Sequence, residues 1–206
     1  MERHKFKSHS KYEKQQKILT RKKMKKVENG RSAPCFTRPC VIQAIHRAHK
    51  TPVSLAVCHG VRYGFEIDMF KESFGGSGDW FGTEITPELC DGEKIICCDF
   101  SKEQPEWKGK VDLMYSNSFD HSRRPRKTIK TWANHLTPGS GRLYVEWTQW
   151  HEKLGKRGNR ADCFAASREE YREMFKPLGV LEELEVDDIT RKGNPYVHVI
   201  FVIGSK

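Results

Sequence analysis

Short apolar segments alternate with amphipathic segments along most of this chain. Seven runs of apolar or alternating residues, each bounded by turn formers, predict β-strands at 53–58, 80–84, 94–98, 111–116, 141–147, 180–187 and 196–203. Apolar residues at helical spacing predict α-helices at 41–50, 62–73, 124–135 and 168–176. Ser167 and Glu170 form a capping box at the start of the last helix. A turn at 191–195 joins the last two strands and predicts an antiparallel hairpin.

Strands that alternate with helices are typical of a parallel sheet covered by helices on both faces. We therefore expect an α/β protein whose seven-stranded sheet is mostly parallel and ends in an antiparallel C-terminal hairpin. A chain of 206 residues is long enough to bury a sizeable core. No apolar run approaches the ~20 residues that a membrane-spanning helix needs, so no membrane span is expected.

The net charge of +10 is concentrated at the N-terminus. Residues 1–31 contain twelve Lys or Arg and three acids, which leaves the remainder of the chain nearly neutral. Apolar residues are sparse in this segment, which predicts at most a partial helix that buries little by itself. We expect a basic, flexible extension at 1–32, a linker with a leading helix at 33–50, and the α/β domain at 51–206. The extension has three interpretations: a solvated tail, a contact for nucleic acid, or a contact for another acidic partner.

Cysteine usage and the N-terminus bear on the cellular compartment. The seven cysteines are an odd number and lie mostly in apolar segments, which favours free thiols in a reducing cytoplasm. Cys35 and Cys40 are separated by four residues, and no second pair at metal spacing follows, so no metal site is expected. The N-terminus is charged from its second residue and has no apolar segment typical of a secretory signal. We predict a cytoplasmic protein.

Glycines and carboxylates follow successive predicted strands. Gly60 and Gly64 follow the first strand and let the backbone approach a ligand closely. Glu84 ends the second strand, where a carboxylate can accept both hydroxyls of a ribose. Asp99 ends the third strand and can accept an adenine amine. Each feature has an alternative interpretation: the glycines can form an ordinary tight turn, Glu84 can be a solvated helix cap, and Asp99 can be an N-cap. The order of the three features nevertheless favours a ribose-containing cofactor.

Several motifs resemble those of the class I S-adenosylmethionine-dependent methyltransferases. Residues 60–66 are similar to a Gly-x-Arg-x-Gly-x-Glu variant of the family's first motif. The segments 81–87, 98–100 and 111–121 resemble the motifs at its second, third and fourth strands, and 136–143 resembles the Leu-Lys-Pro-Gly-Gly turn before its fifth strand. The similarity is close over 51–147 and looser over 148–203. It implies a Rossmann-like methyltransferase domain at 51–206 with S-adenosyl-L-methionine as its cofactor.

The resemblance also implies roles for individual positions. The backbone around residues 58–60 is expected at the methionine part of the cofactor, Glu84 at the ribose, residues 99–100 at the adenine, and residues 116–117 near the transferring methyl. The complete set of expected cofactor-binding residues is Cys58, His59, Gly60, Arg62, Gly64, Glu84, Ile85, Asp99, Phe100, Ser116 and Asn117. The family often has an acid in the first strand, where this chain has Ala56. Glu66 is an alternative partner for the cofactor's ammonium, unless it lies on the surface.

Asp120 and His121 follow the fourth predicted strand and are expected to face the methyl acceptor. They can act as a catalytic base and its orienting partner, or they form a loop ion pair or cap the helix at 124–135. The first hypothesis for function is transfer of a methyl group to an O or N atom of a small or sugar-like acceptor. The alternatives are an RNA or DNA methyltransferase anchored by residues 1–31, a non-catalytic binding module on the same fold, and a nicotinamide-binding protein.

Overall fold

The computed structural model describes residues 1–3, 6, 8–30, 32–152, 162–190 and 193–204. Nine strands are present in this part of the chain: β1 (Glu2–Arg3), β2 (Leu55–His59), β3 (Asp79–Glu84), β4 (Ile95–Cys97), β5 (Leu113–Ser116), β6 (Arg142–Thr148), β7 (Phe164–Ala165), β8 (Val180–Ile189) and β9 (Pro195–Gly204). Each predicted strand is found within two residues of its expected bounds. The short pair formed by β1 and β7 was not predicted.

Seven of these strands form one sheet in the order β4-β3-β2-β5-β6-β9-β8. The first five of that order are parallel, and β9 lies antiparallel between β6 and β8. The predicted mostly parallel sheet with a C-terminal antiparallel hairpin is therefore confirmed. Residues 191 and 192 of the predicted hairpin turn lie outside the described residues. Because the strand order reverses at β2, the carboxyl ends of β2 and β5 meet at a switch point, where open α/β sheets bind ligands.

Helices cover both faces of the sheet, as predicted. They are α1 (His9–Glu28), α2 (Pro39–Ala48), α3 (Phe65–Ser73), α4 (Pro125–His135) and α5 (Arg168–Phe175). On one face, α2 and α3 contribute Ile45 and Phe70 to an apolar core. On the other face, α4 and α5 contribute Trp132 and Phe175. Burial of each such side chain stabilises the fold by about 1.5–3 kcal/mol. No helix in the described ranges is both long and apolar enough to cross a membrane.

Local signals explain where two helices begin. The side chain of Ser167 accepts a hydrogen bond from the backbone of Glu170 at 3.2 Å, and the Glu170 carboxylate accepts one from Ser167 N at 2.9 Å, so the predicted capping box is present. The helix expected at 62–73 begins only at Phe65, because Gly64 precedes it with a left-handed φ of 70°. That conformation favours glycine and starts the helix in a fixed direction away from β2.

The N-terminal segment differs from the expected extension, because residues 9–28 form the 20-residue helix α1. Ser8 caps this helix by accepting a hydrogen bond from Lys11 N at 3.2 Å. The buried residues of α1 are Tyr12, Gln16 and Thr20, spaced four apart, whereas Ile18 is 41% exposed. The inward face is polar because it covers a polar crevice and not the apolar core. Residues 5, 7 and 31 of the basic segment lie outside the described residues, and the boundaries at 32 and 50 stay predictions.

Candidate functional site

A narrow crevice lies at the carboxyl ends of β2, β3 and β4, beneath α1. It measures about 620 Å³ when the space open to solvent is included. The strand ends contribute Gly60, Glu84 and Asp99 to its lining. One face of α1 forms the opposite wall through His9, Tyr12, Gln16 and Thr20. The N-terminal helix is therefore part of the predicted ligand site.

A wider space adjoins this crevice beside the ends of β5 and β6. It measures about 1600 Å³ when its open mouth is included. Gly60, Arg62, Ser118 and His121 line both the crevice and the wider space. A single elongated ligand can therefore extend from one into the other.

Glu84 is the last residue of β3 and is 8% exposed. Its Oε1 accepts hydrogen bonds from the backbone N–H groups of Ile85 at 3.0 Å and Thr86 at 2.9 Å. One carboxylate oxygen thus stabilises the local turn, but Glu84 is not the solvated helix cap of the alternative interpretation, because it is buried and the N-cap of the following 3₁₀ helix is Thr86. No hydrogen bond to Oε2 is present among the described residues. Because Glu84 lines the crevice, that second oxygen is available to a ligand.

Asp99 follows β4, and its two carboxylate oxygens also have different contacts. Its Oδ1 accepts hydrogen bonds from the backbone N–H of Ser101 at 2.9 Å and from the Ser101 hydroxyl at 2.7 Å. Its Oδ2 lies 3.0 Å from Nε2 of His9, but neither of these two buried atoms has a hydrogen-bond partner of suitable geometry in the described part of the chain. Oδ2 of Asp99 therefore contacts α1 without a hydrogen bond, and a ligand that approaches it must share or displace the contact with His9.

The loop after β2 packs so tightly that only glycine fits at position 60. Gly60 has a φ of 76°, and a Cβ atom there would lie 2.7 Å from the Cβ of Ser118. The N–H of Gly60 donates to the carbonyl oxygen of Thr83 at 2.9 Å. The hydroxyl of Ser118 donates to the carbonyl oxygen of Gly60 at 3.3 Å. The loop is thereby held between β3 and the segment that follows β5.

Arg62 lines the junction of the two spaces, and the charged residues Glu66 and Lys23 line the adjoining wider space. Arg62 has a φ of 51°, and its buried Nε and Nη1 atoms have no hydrogen-bond partner among the described residues. Burial raises the pKa of the Glu66 carboxyl to about 7. Burial, followed by the nearby Arg62, lowers the pKa of Lys23 to about 8. The guanidinium of Arg62 and the amine of Lys23 lie 5.5 Å and 5.9 Å from the ring centroid of Phe36, so that ring supports both cations.

Asp120 and His121 lie in a short 3₁₀ helix after β5 and line the wider space. Oδ1 of Asp120 is 4.0 Å from Nε2 of His121, and Oδ1 of Asp162 is 3.7 Å from the same nitrogen. Burial raises the pKa of the Asp120 carboxyl and lowers the pKa of the His121 imidazole. The N-cap of α4 is Arg124, so Asp120 does not cap that helix as one interpretation expected.

A hydrogen-bonded network forms another wall of the wider space. Glu146 lies 2.5 Å from Nδ1 of His198 and accepts a short hydrogen bond from the Tyr115 hydroxyl. Asp188 lies 3.4 Å from the other ring nitrogen of His198, and its carboxylate accepts from Nε of Arg38 at 2.6 Å. Burial opposes protonation of His198, but the hydrogen bond to Glu146 raises the pKa of that imidazole. These groups satisfy one another, which indicates a structural role.

Four residues expected to bind the cofactor do not line either space. The side chain of Cys58 is buried in the core between the sheet and α2–α3. The ring of His59 stacks on Trp132 at 4.7 Å, and its Nδ1 lies 2.9 Å from the Thr83 hydroxyl. Gly64 packs against the core as the N-cap of α3. Ser116 is fully buried and donates to the carbonyl oxygen of His59 at 3.2 Å. These positions hold the loops, and a cofactor contact from their side chains is not supported.

The other expected residues come together at the site, with additions that the sequence did not indicate. Ile85 and Phe100 line the crevice, Asn117 lines the wider space, and Arg62 lines both. The residues of α1 were missed because their inward face carries no apolar signal. Asp162 was missed because it is distant in sequence from the residues that it meets.

The sequence matches no protein-family model and no curated protein, but the structure is similar to several solved structures. One is the Burkholderia thailandensis 1,6-didemethyltoxoflavin-N1-methyltransferase with bound 1,6-didemethyltoxoflavin and S-adenosylhomocysteine. It is 14% identical, has a TM-score of 0.67, and the alignment covers 98% of this chain and 93% of that one. Another is a protein described as a methyltransferase in complex with the Haloferax volcanii Trm112 methyltransferase activator. It is 21% identical, has a TM-score of 0.61, and the alignment covers 80% and 90% of the two chains.

A third similar structure is the YcgJ protein of Bacillus subtilis, with 11% identity, a TM-score of 0.60, and coverage of 80% of this chain and 98% of that one. The similarities extend over nearly the full length of the matched chains. They show that this chain has the Rossmann-like methyltransferase fold.

Proposed function

We propose that this protein is an S-adenosyl-L-methionine-dependent methyltransferase that methylates an O or N atom of a small or sugar-like acceptor. The observation that supports this most directly is the continuity of the two spaces. One end offers two carboxylates, Glu84 and Asp99, the junction offers Arg62, and the adjoining part of the wider space offers Glu66. S-Adenosyl-L-methionine has a nucleoside at one end and an amino acid zwitterion at the other, so its polar groups complement both regions.

The crevice suits the adenosine part. The free oxygen of Glu84 can accept from ribose hydroxyls, because the other oxygen is held by the backbone. Oδ2 of Asp99, which makes no hydrogen bond within the described residues but lies 3.0 Å from His9, can accept from the adenine amine in place of that contact. Gly60 lets its loop pack directly against Ser118, because a Cβ there would lie 2.7 Å from the Cβ of Ser118, and this packing keeps the Gly60 backbone at the crevice wall.

The junction suits the amino acid part. The unpartnered guanidinium nitrogens of Arg62 can bind the carboxylate, and Lys23 of α1 reinforces the positive charge. Glu66 is buried and lines the same space, so it can bind the ammonium in place of the acid that the family often carries at Ala56. A carboxylate paired with a cation is a charge-assisted contact, which is stronger than a neutral hydrogen bond.

Methyl transfer places few chemical demands on the protein itself. The cofactor supplies a methyl group on an activated sulfonium, so orientation of the acceptor contributes most of the rate. His121 and Asp120 lie in the wider space, where His121 can take a proton from an acceptor hydroxyl and Asp120 can orient the imidazole. Trp150 is exposed and lines the same space, and its ring can contact an acceptor. The small-molecule complex of the Burkholderia enzyme supports an acceptor of this size.

Calorimetry with S-adenosylhomocysteine tests this proposal. Glu84→Gln removes a charged acceptor, which is worth about 1.5–3 kcal/mol, so the affinity is expected to fall roughly tenfold or more. Glu93→Gln, on the exposed turn before β4, is the matched control and should bind like the wild type. Equal affinity in both variants would remove Glu84 from the site. Tight cofactor binding with no labelled methyl transfer to any acceptor in a screen would favour the non-catalytic binding module.

We also propose, as the second candidate, a nucleic-acid acceptor held by α1. The supporting observation is that one face of α1 docks on the domain while the other exposes Lys11, Lys14, Lys22, Lys25 and Lys26. Phosphate contacts would make binding fall steeply with salt. Replacement of these five lysines by Gln should abolish salt-dependent RNA binding and leave S-adenosylhomocysteine binding unchanged. RNA binding that is equal in both proteins would exclude this acceptor. A cytoplasmic location is proposed as well, supported by seven free thiols.

A further inference from the structure

We propose that Cys90 and Cys97 form a thiol modification site, at which a small disulfide such as glutathione disulfide oxidises both thiols to one reversible bond within the chain. Cys90 ends the loop after β3, and Cys97 ends β4. Formation of the bond does not depend on the proposed function. Its expected effect on cofactor binding at Glu84 does rest on that function.

Cys97 is the last residue of β4, which lies at the edge of the sheet. Successive side chains of a strand point to opposite faces. Ile95 packs in the core between the sheet and α2–α3, whereas Ile96 packs against the core on the other face. Cys97 therefore lies on the same face as Ile95. Because Cys97 is exposed, its thiol is accessible to a small disulfide in solution.

Cys90 approaches the same face from the loop after β3. Its side chain packs against the core between the sheet and α2–α3. Its thiol donates to the carbonyl oxygens of Thr86 at 3.4 Å and Glu84 at 3.7 Å. Cys97 is the register partner of Glu84 in the neighbouring strand, and the N–H of Cys98 donates to the same Glu84 carbonyl oxygen at 3.1 Å. The two cysteines thus meet beside one backbone carbonyl.

The two thiols also interact with each other. Burial, followed by the side-chain hydrogen bond with Cys97, raises the pKa of the Cys90 thiol to about 12. The turn between them is closed by the N–H groups of Asp91 and Gly92, which both donate to the carbonyl oxygen of Ile95 at 3.2 Å. A disulfide needs Cα atoms about 4.4–6.8 Å apart. Two thiols that already interact across a closed turn need little movement to form one.

Cys98 is the other cysteine near this pair, and the sheet separates it from Cys90. Its side chain packs against the core on the opposite face, whereas Cys90 packs against the core between the sheet and α2–α3. The bond is therefore assigned to Cys97 and not to its neighbour in sequence. Cys98 then provides a matched control, because it differs from Cys97 mainly in the face that it occupies.

The oxidation uses two protein thiols and one molecule of glutathione disulfide. The Cys97 thiolate attacks that disulfide, whose S–S bond breaks, so that a mixed disulfide forms at Cys97 and one glutathione leaves. The Cys90 thiolate then attacks Sγ of Cys97 and releases the second glutathione. The protein loses two protons and two electrons, which reduce one glutathione disulfide to two glutathione thiols. Because little of Cys90 is ionised at neutral pH, the second step should accelerate as the pH rises.

The bond would alter the turn that holds the Glu84 carboxylate. Oxidation removes the proton with which Cys90 bonds the carbonyl oxygens of Glu84 and Thr86. Backbone N–H groups of the same turn hold Oε1 of Glu84, so a shift of the turn moves that carboxylate. The same loop also holds α1, because Glu88 accepts from Nε of Arg21 at 2.7 Å. Oxidation is therefore expected to weaken cofactor binding in the crevice.

Mass spectrometry of the full chain tests the bond. The reduced protein is incubated without oxygen in glutathione buffers of increasing disulfide content, quenched with N-ethylmaleimide and digested with trypsin. Because Lys94 lies between the two cysteines, the bond appears as two linked tryptic peptides. These are expected in the wild type and in Cys98→Ser, but not in Cys97→Ser. A glutathione adduct at Cys97 without linked peptides, or equal linkage in Cys97→Ser, overturns the proposal.

Calorimetry with S-adenosylhomocysteine on the same samples measures the effect on the site. The oxidised wild type and Cys98→Ser should bind several-fold more weakly than their reduced forms, and dithiothreitol should restore the affinity. Cys97→Ser should bind equally after both treatments. Equal affinity of the linked and reduced wild type would overturn the effect on the crevice. Linked peptides in a wild-type protein that binds no S-adenosylhomocysteine even when reduced would leave the modification site standing and reject the proposed function.

Discussion

The hydroxyl of Tyr12 donates a hydrogen bond to the backbone carbonyl oxygen of His121 at 2.7 Å, across 109 positions of sequence. Two further contacts hold the same helix: Nε of Arg21 donates to Glu88 at 2.7 Å, and His9 lies 3.0 Å from Asp99. These contacts reach the segments after β5, β3 and β4. Because these segments carry the candidate site, the position of α1 and the shape of the crevice depend on each other.

Tyr12→Phe is expected to loosen α1 without removing the ring that packs under it. The change removes the donor from a part-buried carbonyl oxygen, which costs about 0.5–1.5 kcal/mol. Trypsin should therefore cleave the lysine-rich helix faster, and S-adenosylhomocysteine should bind several-fold more weakly. Lys14→Arg, on the exposed side of α1, is the control for a general effect on the helix, because it keeps the trypsin site. Cleavage rates equal to wild type in Tyr12→Phe would contradict the role of this hydrogen bond.

Gly60→Ala should damage the site more than the same change at Gly75. Both glycines have a left-handed φ, 76° and 80° respectively, so both variants carry similar backbone strain. A Cβ at position 60 would lie 2.7 Å from Ser118, whereas nothing lies within 4 Å of a Cβ at position 75. The melting temperature should fall further in Gly60→Ala, and cofactor binding should weaken only there. Equal behaviour of the two variants would show that the contact with Ser118 relaxes freely.

Arg62→Met should separate recognition of the amino acid end from recognition of the nucleoside. If the guanidinium binds the carboxylate, the variant loses affinity for S-adenosylhomocysteine but keeps its affinity for 5′-methylthioadenosine, which lacks that end. Glu84→Gln should lose affinity for both ligands, because it acts at the ribose. Calorimetry with the two ligands on the two variants measures this difference. A parallel loss of both ligands in Arg62→Met would mean that the change disturbs the whole loop.

Buried histidines should make the fold sensitive to acid. Burial lowers the pKa of His49 to about 4 and of His59 to about 3, below the value of about 6.5 for an exposed imidazole. The unfolded chain then binds more protons than the folded one, so stability is full above pH 6.5 and falls as the pH drops towards these folded values. His49→Gln should flatten the fall in melting temperature between pH 6.5 and 4. His46→Gln, at an exposed position of α2, should not.

The strands and the mostly parallel sheet with its antiparallel C-terminal hairpin were predictable, because apolar runs and turn residues recur along the chain at the spacing of an α/β fold. The positions of Glu84 and Asp99 followed from the same pattern, since the carboxyl ends of parallel strands share one edge. Sequence patterns indicate where a strand ends, but not which way a side chain points there. For example, the Ser116 hydroxyl, expected near the transferring methyl, donates to the carbonyl oxygen of His59. The His59 ring lies beside Thr83, whereas the role expected at 58–60 concerns the backbone and stays a prediction.

The pattern of apolar and polar residues could not predict contacts between segments that are distant in sequence. The inward face of α1 consists of Tyr12, Gln16 and Thr20, and such a face carries no hydrophobic periodicity that distinguishes it from a solvated helix. The meeting of Asp162 with His121 depends on how the segment before β7 folds back, which the spacing along the chain does not determine. The sequence predicts a polar loop at 150–161, and its residues 153–161, which precede Asp162, lie outside the described residues.

The two faces of helix α1 differ in what they contact: one covers the crevice, and the other exposes lysines to solvent. A partner that binds the exposed lysines more tightly when α1 is docked would also stabilise a ligand bound in the crevice beneath α1. By thermodynamic reciprocity, a filled crevice would then strengthen the outer attachment by the same factor. The affinity of this short basic helix for its partner would then depend on whether the crevice holds a ligand.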